Sequence, residues 1–321
     1  MSPVAVVFPG QGAAAPGAGL PWVDHPAWSV VTDAEAVLDR PLARLLLEAD
    51  ADELATTRSS QLAVLLTSLV VWEAARTSLP RPVAFAGHSL GQITALIASG
   101  AVSAAHGYRL AAARADASQD SADANPGRMA ALIGAEVDIA EAACAGVDEA
   151  WLANDNAPGQ VVIAGTPAGL EAAAEQAKAL GVRRVVTLGV GHAFHTPLLA
   201  DAAEALAPLL EATPLDEPAA PIVANTDARP HTDPAGWPHQ LTRHLVEPVR
   251  WRTSQDTLAS ELGARVMVEL GPGNVLAGLA RRTIPDVPVR SAASPDEVAA
   301  LAEFVAAASA PDLTSSSKGA P

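Results

Sequence analysis

The sequence predicts an α/β protein in which a smaller domain is inserted into a larger one that is built on a parallel sheet. Short β-like runs alternate with longer Ala- and Leu-rich helical runs, and this alternation is typical of a parallel α/β sheet. Between about residues 127 and 190 the order of elements changes to βαββαβ in about sixty residues. That order is typical of a ferredoxin-like unit, so we expect an insertion of this kind.

Each element is predicted from its apolar pattern and from the Gly, Pro and polar residues that bound it. Before the insertion we expect strand 4–8 (VAVVF), helix 61–77, strand 82–87 (PVAFAG) and helix 92–100. Inside it we expect strand 128–134, helix 138–147, strands 150–155 and 159–165, helix 166–181 and strand 183–190. After it we expect strands within 221–227 and 264–273 and a final helix over 297–310.

These elements predict the domain organisation. The large domain comprises residues 1–124 and 192–309, and the small domain comprises residues 125–191. Residues 310–321 are polar and rich in Pro and Gly, so we expect a disordered tail there.

Composition excludes several classes of function. Half of the 321 residues are hydrophobic, which is enough for a substantial core, and the net charge is -16. That charge argues against a general nucleic-acid or anionic-membrane binder, because phosphate contacts need a basic surface. Cys144 is the only cysteine, so neither an internal disulfide nor a cysteine-based metal cluster is expected. The sequence shows no signal peptide or membrane-length apolar run, which predicts a cytoplasmic protein.

The stretch AFAGHSLGQITALIASG places Ser89 in a GxSxG motif between a predicted strand and a predicted helix. In that setting the glycines at 87 and 91 allow a tight turn that exposes the serine hydroxyl as a nucleophile. The alternative is a Gly-rich turn in which the serine only caps the helix. Because strand and helix are both present, we favour the nucleophile.

A serine hydroxyl needs a base, and histidine is the usual one near neutral pH. His88 adjoins the serine but points away from it at a sharp turn, which indicates a structural role. The segment GVGHAFHTPLL, after the last strand of the small domain, contributes His192 and His195 at a domain junction. Since a histidine on a loop is usually a surface residue, chemistry alone leaves the role of His195 open. The remaining histidines read as surface residues: His25, His106, His231 and His239.

Eight motifs together resemble the malonyl-CoA:acyl carrier protein transacylases and the acyltransferase domains of polyketide synthases, over nearly the whole chain. They are FPGQG, the glutamine of SSQLAVLLTS, GHSLG, the arginine of RLAAARADASQ, NDNAPGQVVIAG, GHAFHTPLL, HLVEPVRW and VELGPGNVLAGL. The resemblance implies an α/β-hydrolase-like core with a ferredoxin-like insertion.

The resemblance also implies roles for single residues. Ser89 matches the acylated nucleophile and His195 the base, and the main-chain carbonyl that orients this base is at His244. The backbone amides of Gln11 and Leu90 match the oxyanion hole. Arg114 matches the arginine that grips the free carboxylate of a malonyl group. The further candidates for substrate binding are Gln61, Ser118, His192 and Phe194.

A ping-pong transfer follows from this likeness. The acyl group, most simply malonyl from malonyl-CoA, passes through Ser89 to the phosphopantetheine thiol of an acyl carrier protein, with no bound cofactor and no metal. We expect a discrete enzyme that acts in trans in polyketide or fatty acid biosynthesis. Because carrier proteins are acidic, we expect a locally basic docking surface. Its candidates are Arg183, Arg184, Arg250, Arg252, Arg281 and Arg282.

Two departures from the family pattern bear on the substrate. Gln92 stands where a glutamate is usual, and Ser118 stands where a bulky methionine is common, which suggests a roomier or differently polarised acyl pocket. HAFH, in contrast, is the form associated with malonyl units. The alternatives are therefore transfer of a larger acyl or aminoacyl group between two carrier proteins, and an editing hydrolase of acyl carriers.

Overall fold

A computed structural model of the chain describes residues 2–308, and these form two β-sheets with helices packed against them. The six-stranded sheet has the order β10-β9-β1-β2-β7-β8, and its contacts are parallel except for the short antiparallel pair β7–β8. The four-stranded sheet is antiparallel, with the order β4-β5-β3-β6. The strands are β1 Val4–Phe8, β2 Ala84–Gly87, β3 Arg128–Ile133, β4 Ala150–Ala157, β5 Gln160–Gly165, β6 Arg184–Thr187, β7 Ile222–Val223, β8 Pro230–His231, β9 Val266–Leu270 and β10 Val289–Ala292.

The helices cover both faces of the larger sheet and one face of the smaller one. In the described part of the chain they are α1 Ser29–Leu38, α2 Leu42–Leu47, α3 Ala51–Leu54, α4 Thr57–Ala75, α5 Gly91–Ala98, α6 Ala104–Ala124, α7 Val137–Cys144, α8 Pro167–Ala179, α9 Ala200–Ala212, α10 Trp237–Val246, α11 Trp251–Asp256, α12 Val275–Thr283, α13 Pro295–Ala299 and α14 Leu301–Ala307. A π-helical turn, Thr257–Glu261, follows α11.

Strand β1 shows why its sequence is apolar throughout. Val4, Val6 and Phe8 pack into the core on one face of the sheet, while Ala5 and Val7 pack into the core on the other. Alternate side chains of a strand point to opposite faces, so a central strand covered by helices on both sides needs a continuous apolar run. The strand predicted at 4–8 is confirmed with these bounds.

Helices α4 and α6 pack against each other and bring two distant segments to the carboxyl end of β2. Helix α4 is buried along most of its length, and the Thr56 hydroxyl caps it by accepting from the amide of Ser59. A helix without a polar face belongs inside a protein. Helix α6, which the sequence pattern did not mark as a separate element, has the hydroxyl of Ser103 as its cap.

The βαββαβ order predicted for the insertion is present in the four-stranded sheet, from Arg128 to Thr187. Its helices α7 and α8 pack on one face of that sheet over a separate apolar core. Two expectations about the large sheet and the last helix need correction. The final helix is divided at Ala300 into α13 and α14. The strand within 221–227 is only Ile222–Val223.

Residue 309 and the tail predicted at residues 310–321 lie outside the described residues. Within residues 2–308, none of the helices combines the length and apolar character needed to cross a membrane.

Candidate active site

Ser89 lies on a tight turn between strand β2 and helix α5, with a left-handed backbone φ of 51°. The turn depends on the two flanking glycines. A Cβ at Gly87 would lie 1.8 Å from the carbonyl oxygen of Gly91, and a Cβ at Gly91 would lie 2.3 Å from that of Phe8. Such contacts are impossible, so both positions require glycine. A serine held in an unfavourable backbone conformation at such a turn points to a functional constraint.

The imidazole of His195 faces the Ser89 hydroxyl. Its Nε2 lies 2.8 Å from Oγ of Ser89, and its Nδ1 lies 2.8 Å from the carbonyl oxygen of His244. A carbonyl oxygen only accepts, so Nδ1 must carry the proton and Nε2 is free to accept from the serine. The structure thus brings Ser89, His195 and His244 together in the order that a proton transfer requires.

The carbonyl of His244 is available because it lies in the last turn of α10, Trp237–Val246. The last four carbonyls of a helix have no partner inside the helix. The same helix end carries partial negative charge, which stabilises a positive imidazole. The His244 ring also stacks on the His195 ring, with centroids 5.0 Å apart and planes 28° apart.

His195 itself is buried and neutral. Burial and then the Arg114 charge lower its pKa to about 3, although the hydrogen bond to His244 opposes this shift. A histidine with this pKa is unprotonated at neutral pH and able to act as a base.

Gln11 and Leu90 each lie at the start of a helical segment. Gln11 is the first residue of the 3-10 helix Gln11–Ala13, and Leu90 immediately precedes α5. Amides at the first positions of a helix have no partner within it, so they are available to an incoming oxygen.

Arg114, on α6, is buried beside the Ser89 hydroxyl. Its Nη2 lies 3.2 Å from Oγ of Ser89, and its Nη1 donates to Oε1 of Gln61 over 2.5 Å. Nε2 of Gln61 donates in turn to Oε1 of Gln11 over 3.0 Å. Burial lowers the pKa of Arg114 to about 10, so the guanidinium keeps its charge at neutral pH. Within residues 2–308, none of the ion pairs includes Arg114.

A cavity of about 270 Å³ lies next to Ser89 and His195. Its lining includes Ser89, His195, Gln11 and Phe194. The first turns of α12 contribute apolar side chains to the lining, and β4 contributes two side-chain amides. These further lining residues are Asn154, Asn156, Val275, Leu276 and Leu279.

The other sequence candidates do not line this cavity; they are Gln61, Leu90, Arg114, Ser118, His192 and His244. Ser118, one turn after Arg114, is fully buried, and its hydroxyl has no hydrogen-bond partner among residues 2–308. His192 is fully buried, with its Nε2 3.3 Å from the hydroxyl of Ser121 and its ring edge-on to Phe194. The structure therefore places His195 and Arg114, but not His192 or Ser118, in contact with the Ser89 hydroxyl.

Sequence reasoning missed Asn225 and the pairing of His88. Oδ1 of Asn225 accepts from the amide of Ser89 over 2.8 Å. The His88 ring, through Nε2, lies 2.9 Å from Oδ1 of Asn156 and also lines the cavity. Asn225 is far from the motif in sequence and gave no signal. The role of Asn156 could have been inferred from the segment NDNAPGQ, which is rich in side-chain amides.

Among residues 2–308, there is no group of three or more His, Cys, Asp or Glu side chains placed to hold a metal ion.

A serine on a strand-turn-helix elbow, paired with a histidine and facing a cleft, is the arrangement of enzymes that form an acyl ester on serine. Sequence comparison agrees with this class. The chain belongs to the Acyl transferase domain family, which matches residues 5–310.

Two relatives of the chain are both named malonyl CoA-acyl carrier protein transacylase. The chain is 36% identical to a malonyl CoA-acyl carrier protein transacylase of Bacillus subtilis over 288 residues, 88% of this chain and 90% of that protein. It is 34% identical to the protein of the same name in Salmonella typhimurium over 311 residues, 94% of this chain and 98% of that protein.

Solved structures give the same result. An acyl-carrier-protein S-malonyltransferase from Burkholderia pseudomallei superposes with a TM-score of 0.88 at 33% identity, over 94% of this chain and 99% of that one. A malonyl-transacylase solved in complex with a type II polyketide synthase acyl-carrier protein gives a TM-score of 0.89 at 31% identity, over 94% of this chain and 100% of that one. The mixed α/β architecture with a parallel sheet is thus shared with malonyltransferases.

Proposed function

We propose that this protein transfers a malonyl group from coenzyme A to the phosphopantetheine thiol of an acyl carrier protein, through an ester on Ser89. The observation that carries the proposal is the buried Arg114 guanidinium, 3.2 Å from Oγ of Ser89 and hydrogen-bonded to the neutral Gln61. A buried cation is costly unless an anion pairs with it. The free carboxylate of a malonyl thioester would supply that anion, and the names of the relatives support this substrate.

The first half of the reaction forms the ester. Oγ of Ser89 attacks the thioester carbonyl while Nε2 of His195 takes its proton. The amides of Gln11 and Leu90 donate to the oxyanion of the tetrahedral intermediate, and each such donor typically lowers the barrier by roughly 3 kcal/mol. When the carbon–sulfur bond breaks, His195 returns the proton to the leaving sulfur. Coenzyme A departs as a thiol, and the malonyl group stays on Ser89.

The second half reverses these steps with another thiol. The phosphopantetheine thiol enters the cavity and gives its proton to His195. Its sulfur attacks the malonyl ester, and the proton passes to Oγ of Ser89 as the ester bond breaks. The apolar lining formed by Val275, Leu276 and Leu279 suits an extended pantetheine arm and disfavours ordered water. Disfavouring water is what separates a transferase from an acyl-carrier hydrolase at such a site.

The carrier docks, in this proposal, on exposed arginines of the elements around the cavity. Arg281 lies on α12, whose first turns line the cavity, and Arg250 and Arg183 are also exposed. Arg252 is less available because it pairs with Glu136 over 2.5 Å. Positive charge on these elements would attract an acidic carrier despite the net charge of -16.

The finer architecture is part of the proposal. We assign residues 1–124 and 192–309 to an α/β-hydrolase-like domain and residues 125–191 to a ferredoxin-like domain. The second assignment is supported by the antiparallel order β4-β5-β3-β6 with α7 and α8 on one face. Since coenzyme A thioesters are the donors, we place the reaction in the cytoplasm, with no cofactor besides the two thioester substrates.

A transfer assay tests the proposal. Purified protein is mixed with malonyl-CoA and a phosphopantetheinylated carrier protein, and malonyl-carrier is measured by mass spectrometry. We expect rapid formation of malonyl-carrier and slow release of free malonate. Faster release of malonate would identify a hydrolase, and transfer only of a larger acyl or aminoacyl group would overturn the malonyl assignment.

A further inference from the structure

The backbone of Ser89 is held by a residue from another strand. Its amide donates to Oδ1 of Asn225 over 2.8 Å, and Nδ2 of the same side chain donates to the carbonyl of Gly87, also over 2.8 Å. One side chain therefore bridges the residues on either side of His88. Both partners are main-chain groups, a donor and an acceptor, so they fix which end of the Asn225 amide faces which.

A second side chain holds Asn225. Oε1 of Gln92, in the first turn of α5, accepts from the main-chain amide of Asn225 over 2.8 Å. The carbonyl of Asn225 accepts from the amide of Arg250 over 2.9 Å. Both Asn225 and Gln92 are fully buried, so neither hydrogen bond is exchanged with bulk water. All four polar groups of Asn225 are thus used to place it.

This arrangement matters because Ser89 has a φ of 51°, which a residue with a side chain adopts only when its surroundings impose it. We propose that Gln92 and Asn225 form a positioning relay: Gln92 fixes the main chain of Asn225, and the Asn225 side chain fixes the turn that carries the Ser89 hydroxyl. Neither residue touches the acyl group. Their effect is on the alignment of Oγ with His195 and the thioester carbonyl.

The relay gives a structural role to Gln92, the glutamine that follows GHSLG. Gln92 does not line the cavity, and its Nε2 has no partner among the described residues, so only its oxygen is used. A glutamate would offer an acceptor oxygen at the same place. Gln92 is therefore a substitution within the positioning relay.

The inference rests on the proposed role of Ser89 and is tested separately from it. Single-turnover acylation by malonyl-CoA is followed by rapid quench and intact-protein mass spectrometry, which gives the maximal acylation rate and the half-saturating concentration separately. The variants are Asn225→Ala, Gln92→Leu and Gln92→Glu. Thr226→Val is the matched control, because Thr226 is the next buried residue and its hydroxyl donates to Gln240 on α10 and not to the turn that carries Ser89.

We expect Asn225→Ala to lower the maximal acylation rate about a hundredfold with the half-saturating concentration little changed, because a misplacement of about 1 Å costs this much. Gln92→Leu should lower the maximal acylation rate about tenfold, because the Asn225 amide loses its acceptor. Gln92→Glu provides an acceptor oxygen again, so its rate should be within about threefold of the native rate. Thr226→Val should acylate at the native rate. Thermal melting of each variant identifies any that fail to fold.

Two results would overturn the relay. A folded Asn225→Ala that acylates as fast as Thr226→Val would show that Asn225 does not position Ser89. Equal rates for Gln92→Leu and Gln92→Glu would remove Gln92 from it. If the native protein itself acquires no acyl group, the proposed function fails instead, so the two failures are distinguishable.

Discussion

The guanidinium of Arg114 lies 3.2 Å from the hydroxyl oxygen of Ser89, so the charge that would bind a substrate carboxylate is next to the atom that would attack its thioester. Helices α4 and α6 create this proximity, because Gln61 on α4 holds Nη1 of Arg114 and leaves Nη2 facing the nucleophile. An acyl ester on Ser89 whose carboxylate is about two bonds from its carbonyl carbon would hold that carboxylate within reach of the guanidinium. The relationship makes substrate choice testable.

The first prediction concerns Arg114→Ala. Malonyl transfer should fall at least about a hundredfold, because the substrate carboxylate would then be buried without a partner. Acetyl transfer should be retained or improved. Transfer rates from malonyl-CoA and acetyl-CoA are compared in the native protein, in Arg114→Ala and in Arg109→Ala, an exposed arginine on the same helix. Parallel losses on both substrates would refute the carboxylate contact.

The second prediction separates the two histidines of HAFH. His195→Ala should slow acylation and deacylation by about 10²- to 10⁴-fold, because one base serves both half-reactions. His192→Ala should do less, since His192 contacts Ser121 and not Ser89. Both half-reactions are measured in single turnovers. Equal losses at the two positions would contradict the assignment of His195 as the base.

The third prediction concerns pH. The pKa of His195 is lowered to about 3, first by burial and then by Arg114, so its neutral, proton-accepting form is complete above that value. Acylation by malonyl-CoA should show no loss of rate as pH falls from about 8 to about 5.5, where an ordinary histidine would already be protonated. Arg114→Ala removes a positive charge that lowers the pKa of His195, so the loss of acylation rate in acid should begin at a higher pH.

The acetyl-CoA acylation rate of Arg114→Ala, measured against pH, tests the second half of that prediction, because acetyl needs no carboxylate contact. A native profile that falls with a midpoint near 6.5 would show that His195 is solvated in the working enzyme.

The sequence predicted the parallel and antiparallel sheets because their strands are short apolar runs bounded by Gly and Pro, as at Val4–Phe8. The sequence also indicated the turn that carries Ser89, because the turn needs glycine at 87 and 91. A Cβ at these positions would lie only 1.8 and 2.3 Å from main-chain oxygens. The pairing of His195 with the His244 carbonyl came only from the family resemblance, because a main-chain acceptor leaves no mark on residue type.

Other features depend on tertiary contacts that local sequence does not contain. Asn225 reaches Ser89 across 136 positions of the chain, and a single asparagine after a two-residue strand carries no recognisable pattern. The break at Ala300 between α13 and α14 was missed because both helices are rich in Ala and the division lacks Gly or Pro.

The central claim is that Ser89 carries the malonyl group between two thiols, and intact-protein mass spectrometry tests it most directly. After incubation with malonyl-CoA, the native protein should gain one malonyl group, localised to Ser89 by peptide mapping, and should lose it to a phosphopantetheinylated carrier protein. Ser89→Ala should gain nothing, because alanine has no oxygen with which to form the ester. A malonyl adduct on Ser89→Ala, or a native adduct that the carrier cannot remove, would contradict the account.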